Sequence, residues 1–182
     1  MELKAAEKLI GACGRYCGLC STYHAQASDK CSGCTTDNQH SRCSIWNCCV
    51  KKNGFVTCSE CPDVFHCEIF EQRNIMSDPE WFSAIDNLQR IPRVGLRRWI
   101  EEQMERQAVL NVLLNNYNED KSTDFYCQSC IRIPAGVMYD AILKAEKKLA
   151  HNRADRTDLV SKVKAMKAAI RDEAKGIGVE LG

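Results

Sequence analysis

Thirteen cysteines lie in this 182-residue chain, and their spacing limits what it can fold into more than any other feature. They are Cys13, Cys17, Cys20, Cys31, Cys34, Cys43, Cys48, Cys49, Cys58, Cys61, Cys67, Cys127 and Cys130. Four pairs have C-x2-C spacing: Cys17/Cys20, Cys31/Cys34, Cys58/Cys61 and Cys127/Cys130. Two intervening residues let a tight turn, a knuckle, aim both sulfurs at one ion about 2.3 Å away. Backbone N–H groups of such a turn can hydrogen-bond the thiolates. A single pair also suits a redox dithiol, whereas four in one short chain point to metal. Disulfides need an oxidising compartment. The cysteine count is odd, and Met1 to Ile10 interleaves acids and lysines with no apolar signal segment. The expected setting is therefore cytoplasmic, with reduced thiols.

Side chains of adjacent residues tend to diverge, so Cys49 beside Cys48 reads as a spare thiol. The other twelve cysteines then make three tetrahedral four-thiolate sites, or two closed sites with thiols left over. The expected cofactor is Zn2+, about two to three per chain. A four-thiolate set suits an iron–sulfur cluster as well, and the rival reading is an iron–sulfur or thiol-based redox or metal-handling protein, with an enzyme left open. His24, His40 and His66 are weaker candidates to replace a sulfur, and His66 is the best placed because it adjoins Cys67.

Residues 13–67 hold eleven of the thirteen cysteines and are rich in Ser, Thr, Asn, Asp and Gly. Their larger apolar residues are Tyr16, Leu19, Tyr23, Ile45, Trp46, Val50, Phe55, Val56, Val64 and Phe65. These few side chains cannot offset an ordering entropy of ~1–2 kcal/mol per residue over the segment. Structural zinc contributes ~10–16 kcal/mol in small peptides. The segment is therefore expected to unfold when stripped of metal.

Around that segment the pattern is helical. Leu3, Ala6, Leu9 and Ile10 share one face of a short helix over 2–12. Ser77-Asp-Pro-Glu80 reads as a capping box that starts a helix carrying Trp81, Phe82, Ile85 and Leu88 and ending at Pro92. A second helix spans about 96–116, with Trp99, Ile100, Met104, Val109, Leu110 and Leu113 on its apolar face. A polar loop, 115–124, delivers Cys127 and Cys130, expected to fold back and complete a site begun in 13–67. Met138, Ala141, Ile142, Ala145 and Leu149 repeat at helical spacing, as do Leu159, Val163, Met166 and Ile170. His151 to Asp158 reads as a turn between them, and Gly176 and Gly178 as the stop. The expected fold class is a small α-rich, metal-stabilised fold. It has a cysteine-knuckle, zinc-ribbon-like N-terminal part with little β-structure, then helices and a C-terminal helical hairpin. The expected organisation is a cysteine-rich metal-binding domain over 1–133 and a helical appendage over 134–182.

Charge separates some functions from others. The net charge is +1, so bulk charge predicts no nucleic-acid partner. Residues 141–182 carry ten Lys/Arg and six Asp/Glu, against 15 and 18 in residues 1–140. Because acids are interspersed, the basic tail reads first as a solvated face whose apolar stripe packs on the domain, a protein partner or a second copy; nucleic acid is the less favoured partner. No apolar run approaches the ~20 residues of a membrane span. Cys13-x3-Cys17-x2-Cys20 matches the cluster spacing of radical S-adenosylmethionine enzymes, but no alternating strands of a large α/β barrel follow. Cys43, Cys48-Cys49 and Cys58-x2-Cys61 faintly resemble the double-cysteine motif of heterodisulfide reductases, with shorter loops and Val50 in place of Gly. There is no Gly-rich phosphate loop, His-Glu-x-x-His pair or nucleophile elbow. Thiolate-only zinc is coordinatively closed, so this reading points away from hydrolysis and from an enzyme.

Cys13-Gly14-Arg15-Tyr16-Cys17-Gly18-Leu19-Cys20-Ser21-Thr22-Tyr23 resembles the opening C-G-x-x-C-x-x-C-x-x-Y of a prokaryotic cysteine-rich family, domain of unknown function 3795. Cys31-Ser-Gly-Cys34, Cys43-Ser-Ile-Trp-Asn-Cys48 and Cys58-Ser-Glu-Cys61 through Cys67 are similar to its later cysteine runs. Asn87 to Ile91, Gly95 and Trp99 to Gln103 are similar to its helices, and Cys127/Cys130 to its closing pair. The resemblance covers roughly 13–130, with one extra residue between Cys61 and Phe65 and an insertion before Cys127. Cys49 lies outside the pattern. The resemblance implies metal binding, zinc first, and no established activity.

Overall fold

A computed structural model of the chain describes residues 2–25, 30–31, 33–34, 43–73, 75, 82–119, 121–151 and 158–181. Helix dominates, and among the described residues the only β-type pairing is an isolated antiparallel bridge between Ile10 and Tyr16. The α-rich class read from apolar spacing is thus observed. The helices are α1 (Leu3–Glu7), α2 (Ser44–Trp46, continuing into a π-type turn over Asn47–Lys52), α3 (Glu68–Gln72) and α4 (Phe82–Val94). They are followed by α5 (Leu96–Asn116), α6 (Thr123–Arg132), α7 (Ala135–His151) and α8 (Leu159–Gly176). Two compact units divide the chain: Met1–Gly18 with Ser28–Met104, and Leu19–Ala27 with Glu105–Gly182.

In the first unit, α1 stops at Glu7, short of the expected 12. Leu9 and Ile10 are buried in a reversing segment instead. Gly11 N donates to Arg15 O at 2.7 Å, and Cys17 N donates to Leu9 O at 2.7 Å. Gly14 makes the reversal possible at φ +87°, a region that costs other residues ~1–2 kcal/mol. The core gathers Ala12, Ile45, Cys49, Val64, Phe70, Ile75 and Leu88. Helix α4 runs through Pro92 to Val94. Proline withdraws one N–H from the helix and crowds the carbonyl four residues back, and the helix continues only two residues past it. The helix ends where Gly95 adopts φ +85° and donates to Ile91 O at 2.9 Å.

In the second unit, the later part of α5 buries Val109, Leu110 and Leu113, and α6 buries Tyr126, Cys127, Ser129 and Cys130. Helices α7 and α8 pack on each other along Met138, Ala141, Ala145 and Leu149 on one side and Val163, Met166 and Ile170 on the other. The expected pair of tail helices is therefore present. Asp158 caps α8, its carboxylate accepting from Ser161 N at 2.9 Å. Gly178 at φ +73° closes it. Val179 N reaches Ala174 O at 2.8 Å and Gly178 N reaches Lys175 O at 3.1 Å, the paired bonds of a glycine-terminated helix.

Several expectations fall outside the described residues: the capping box at 77–80, Trp81 and the Phe82 side chain, His40, and the turn over 152–157. No helix among the described residues is long and apolar enough to cross a membrane.

Candidate metal centre

All thirteen cysteines are free thiols, and they fall into three neighbourhoods. The first is built on the reversal at Gly11–Arg15. Cys13 accepts a hydrogen bond from the Arg15 backbone N–H. Cys31 accepts one from Gly33 N at 3.5 Å. Both are bonds from the N–H two residues ahead back to a sulfur, the local arrangement that favours a thiolate. The Sγ atoms of Cys13 and Cys34 lie 3.5 and 3.6 Å from the point where a Gly11 Cβ would stand, so both sulfurs are brought to one side of this turn. The Cys34 and Cys17 side chains hydrogen-bond each other. That bond, then burial, then the neighbouring Cys17, Cys13 and Cys31 push the Cys34 thiol far above the ordinary thiol range. Burial raises Cys13, with Cys17 and Cys43 adding to the rise and Arg15 opposing it.

The second neighbourhood surrounds a small pocket of about 30 Å³. Five cysteines line it: Cys48, Cys49, Cys58, Cys61 and Cys67. Ile45, Phe55, Val64, Ile69 and Phe70 supply the apolar remainder, with Asn53 as the polar exception. Local chemistry fixes each sulfur's position. Thr57 and Glu60 form a capping box around Cys58: Glu60 Oε1 accepts from Val56 N at 2.7 Å and Thr57 N at 3.1 Å. Cys61 N then donates to Cys58 O at 3.1 Å, closing the C-x2-C turn. Cys67 sits at the start of α3, its carbonyl accepting from Phe70 N and Glu71 N at 2.9 and 3.0 Å. Cys58 N donates to Ala12 O at 2.8 Å, which ties this turn to the residue before Cys13. The hydrogen bond to Cys49, then burial, then the charges of Cys49, Cys13 and Cys67 raise the Cys58 thiol far above its usual range.

In the second unit, Cys127 and Cys130 occupy successive turns of α6, each 1% exposed. Their C-x2-C spacing is therefore realised as the i, i+3 face of a helix and not as a turn. Burial is the main cause that pushes Cys127 up to about 12, with the charges of Cys20, also in this unit, and Asp124 adding to it. Burial and Cys127 raise Cys130 further. Arg106 anchors this end of α6, one nitrogen donating to the carbonyls of Cys130, Ile131 and Ile133 at 2.8, 2.8 and 2.9 Å.

His66 is exposed and does not line the pocket. His24 stacks edge-on against Tyr23 with ring centres 5.2 Å apart. The member sequence reasoning set aside is Cys49: it is 3% exposed and lines the pocket beside Cys48. Among the described residues, no group of three or more Cys, His, Asp or Glu side chains stands ready as a ligand set, and the sulfurs instead approach in pairs.

Thiol sulfur is the donor type that a soft divalent cation takes, and the fit here is one of donor chemistry and not of a formed ligand set. Each sulfur pair is asymmetric: the bond with Cys49 raises the Cys58 thiol while the same bond lowers Cys49, and Cys17, Cys13 and Cys31 raise Cys34, so a second thiolate in either group calls for a compensating positive charge. A bound cation supplies that charge and deprotonates a coordinating thiol outright. Comparison with family models, with curated proteins and with solved structures returns no match for this chain.

Proposed function

We propose that this protein is a zinc-thiolate module whose first unit is held in shape by metal, and that it serves as an interaction scaffold and not as an enzyme. Residues of the two cysteine-rich neighbourhoods would hold the zinc: Cys13, Cys17, Cys31, Cys34 and Cys43 in one, Cys48, Cys58, Cys61 and Cys67 in the other. Cys20, Cys127 and Cys130 form a further thiol set within the second unit. The reading extends to a zinc-ribbon-like knuckle fold, a reducing cytoplasmic setting and kinship with the cysteine-rich family resembled above.

The observation that carries it is the repeated N–H-to-sulfur bond across two residues, from Arg15 to Cys13 and from Gly33 to Cys31. A disulfide framework or a set of inert core thiols has no use for that polarity, whereas a metal thiolate is stabilised by it. The outer faces of the tail helices expose Tyr139, Leu143 and Val160, which supports a protein partner or a second copy as the contact.

Anaerobic purification followed by elemental analysis tests the reading. About two to three zinc per chain supports it, as four-thiolate sites require. Iron with acid-labile sulfide replaces it with a cluster protein, and thiols joined in disulfides with no metal defeat it.

A further inference from the structure

We infer that the outer flank of α8 is a docking surface for the phosphate backbone of double-stranded DNA. The inference deepens the interaction reading above by giving one face its partner, and it needs no metal.

Lys164, Lys167, Arg171 and Lys175 recur at intervals of three and four residues, so they form one stripe along α8. At ~100° per residue they fall within about 80° of the helix circumference, and the stripe is about 16 Å long. Lys164, Arg171 and Lys175 are exposed and Lys167 is half-buried. The middle of the stripe is fixed against α6. Lys167 Nζ lies 5.6 Å and the Arg171 guanidinium carbon 4.8 Å from the centre of the Phe125 ring. One ring thus draws two cations together and orients them before any partner arrives.

The acids of α7 and α8 are engaged elsewhere. Glu146 accepts from the Tyr117 hydroxyl, and Glu173 pairs with Lys144. Asp140 and Asp172 lend their charge to the same Lys144. Asp124, beside Phe125 in sequence, bears on Cys127. Among the described residues, Lys164 and Lys175 make no ion pair. Acids that are interspersed along the tail in sequence therefore do not neutralise this stripe in space.

The make-up of the flank points to duplex phosphate. Lysine is depleted at protein–protein interfaces, whereas faces that bind DNA are strongly positive. Val160 and Ala168 share the flank and carry no group to hydrogen-bond a base edge or a ribose 2′-OH. Phe125 is covered by its two cations and so is no platform for stacking the bases of a single strand. Contact with the DNA backbone, independent of sequence, uses what the flank offers. Tyr139 and Leu143 stand on α7 and remain for a protein contact.

Fluorescence anisotropy of a labelled mixed-sequence DNA duplex, titrated with the full reduced chain over a salt series, tests the inference. Four neutralised phosphates predict that log affinity falls with log salt at a slope of about −3.6. Lys164→Gln with Lys175→Gln should make that slope shallower by about two and weaken binding to all sequences alike. Lys147→Gln with Lys148→Gln removes the same charge from α7 and should leave slope and affinity as they were. Absence of binding overturns the inference, as do equal losses from the two double variants. Tighter binding of an RNA duplex or of polyglutamate overturns it too, in favour of those partners. Zinc content measured on the same sample keeps the two readings apart. A zinc-holding chain that ignores DNA loses this inference and keeps the metal reading, and a zinc-free chain that binds DNA through Lys164 and Lys175 does the reverse.

Discussion

The Asn87 side-chain amide donates to the Gly14 carbonyl at 2.9 Å, joining α4 to the turn that carries Cys13 and Cys17. Its other face accepts from Trp99 Nε1 at 3.1 Å, and Trp99 meets Tyr16 edge-on with ring centres 6.0 Å apart. One amide thus connects α4, α5 and the first cysteine turn. Asn87→Leu leaves the buried Trp99 N–H and the Gly14 carbonyl without partners. The expected cost is about 1–3 kcal/mol for each group so orphaned, read as a fall in chemical-denaturation midpoint; an unchanged midpoint contradicts the role.

Gly14 and Gly54 separate two effects of the same substitution. Both have positive φ, +87° and +69°. A Cβ on Gly14 would stand 2.7 Å from Ala84 O and 2.8 Å from Leu88 Cγ, whereas one on Gly54 meets nothing within 4 Å. Gly54→Ala should cost only the backbone strain, about 1–2 kcal/mol. Gly14→Ala should cost clearly more, because Ala84 O belongs to helix backbone and cannot move aside. Equal losses in paired denaturation curves would contradict the close approach of α4.

Arg106 is placed to hold the cysteine-bearing helix of the second unit. Arg106→Met removes a charged donor from three carbonyls at the end of α6, at about 1.5–3 kcal/mol for a charge-assisted interaction. Cys127 and Cys130 should then react faster with a thiol-modifying reagent, followed by mass spectrometry of the 123–132 segment. Unaltered labelling rates would show that α6 does not depend on this clamp.

Much of this arrangement is legible in the sequence, and the failures share a cause. Helix α5 occupies Leu96–Asn116 as its apolar spacing indicates, because Trp99, Ile100, Val109, Leu110 and Leu113 recur at helical period and are all buried. Gly178 likewise ends the tail as expected. Cys127/Cys130 were harder, since a separation of three residues suits both a metal turn and one face of a helix; the decision comes from Tyr126 and Ser129, buried on the same element. Leu9 and Ile10 keep helical spacing after the helix has ended, because the Gly11–Arg15 reversal uses them as its own core. Cys49 reads as a spare thiol beside Cys48, and what periodicity does not reveal is the π-type turn at Asn47–Lys52 that puts it in the apolar core. Composition and spacing therefore identify which residues gather. Which sulfur faces which neighbour is decided by glycine conformation and by turns whose hydrogen bonds depart from the regular pattern.

If sulfur holds zinc as proposed, acid should release it. Thiolate binds metal and thiol does not, so protons compete for every site. Affinity is expected to be full at neutral to alkaline pH and to fall as pH drops. A chromophoric zinc indicator, titrated stepwise downward in pH, should register release; a metal content independent of pH would show that sulfur is not the donor.

On the zinc reading proposed above, cations held by sulfur, more than apolar contacts, shape residues 9–71. Hydrogen exchange before and after treatment with a strong chelator under reducing conditions tests it most directly. The account predicts that amides of Cys17, Cys58, Cys61 and Phe70 lose their protection while those within α7 and α8 keep theirs. Protection that persists across 9–71 after all metal is gone would contradict it.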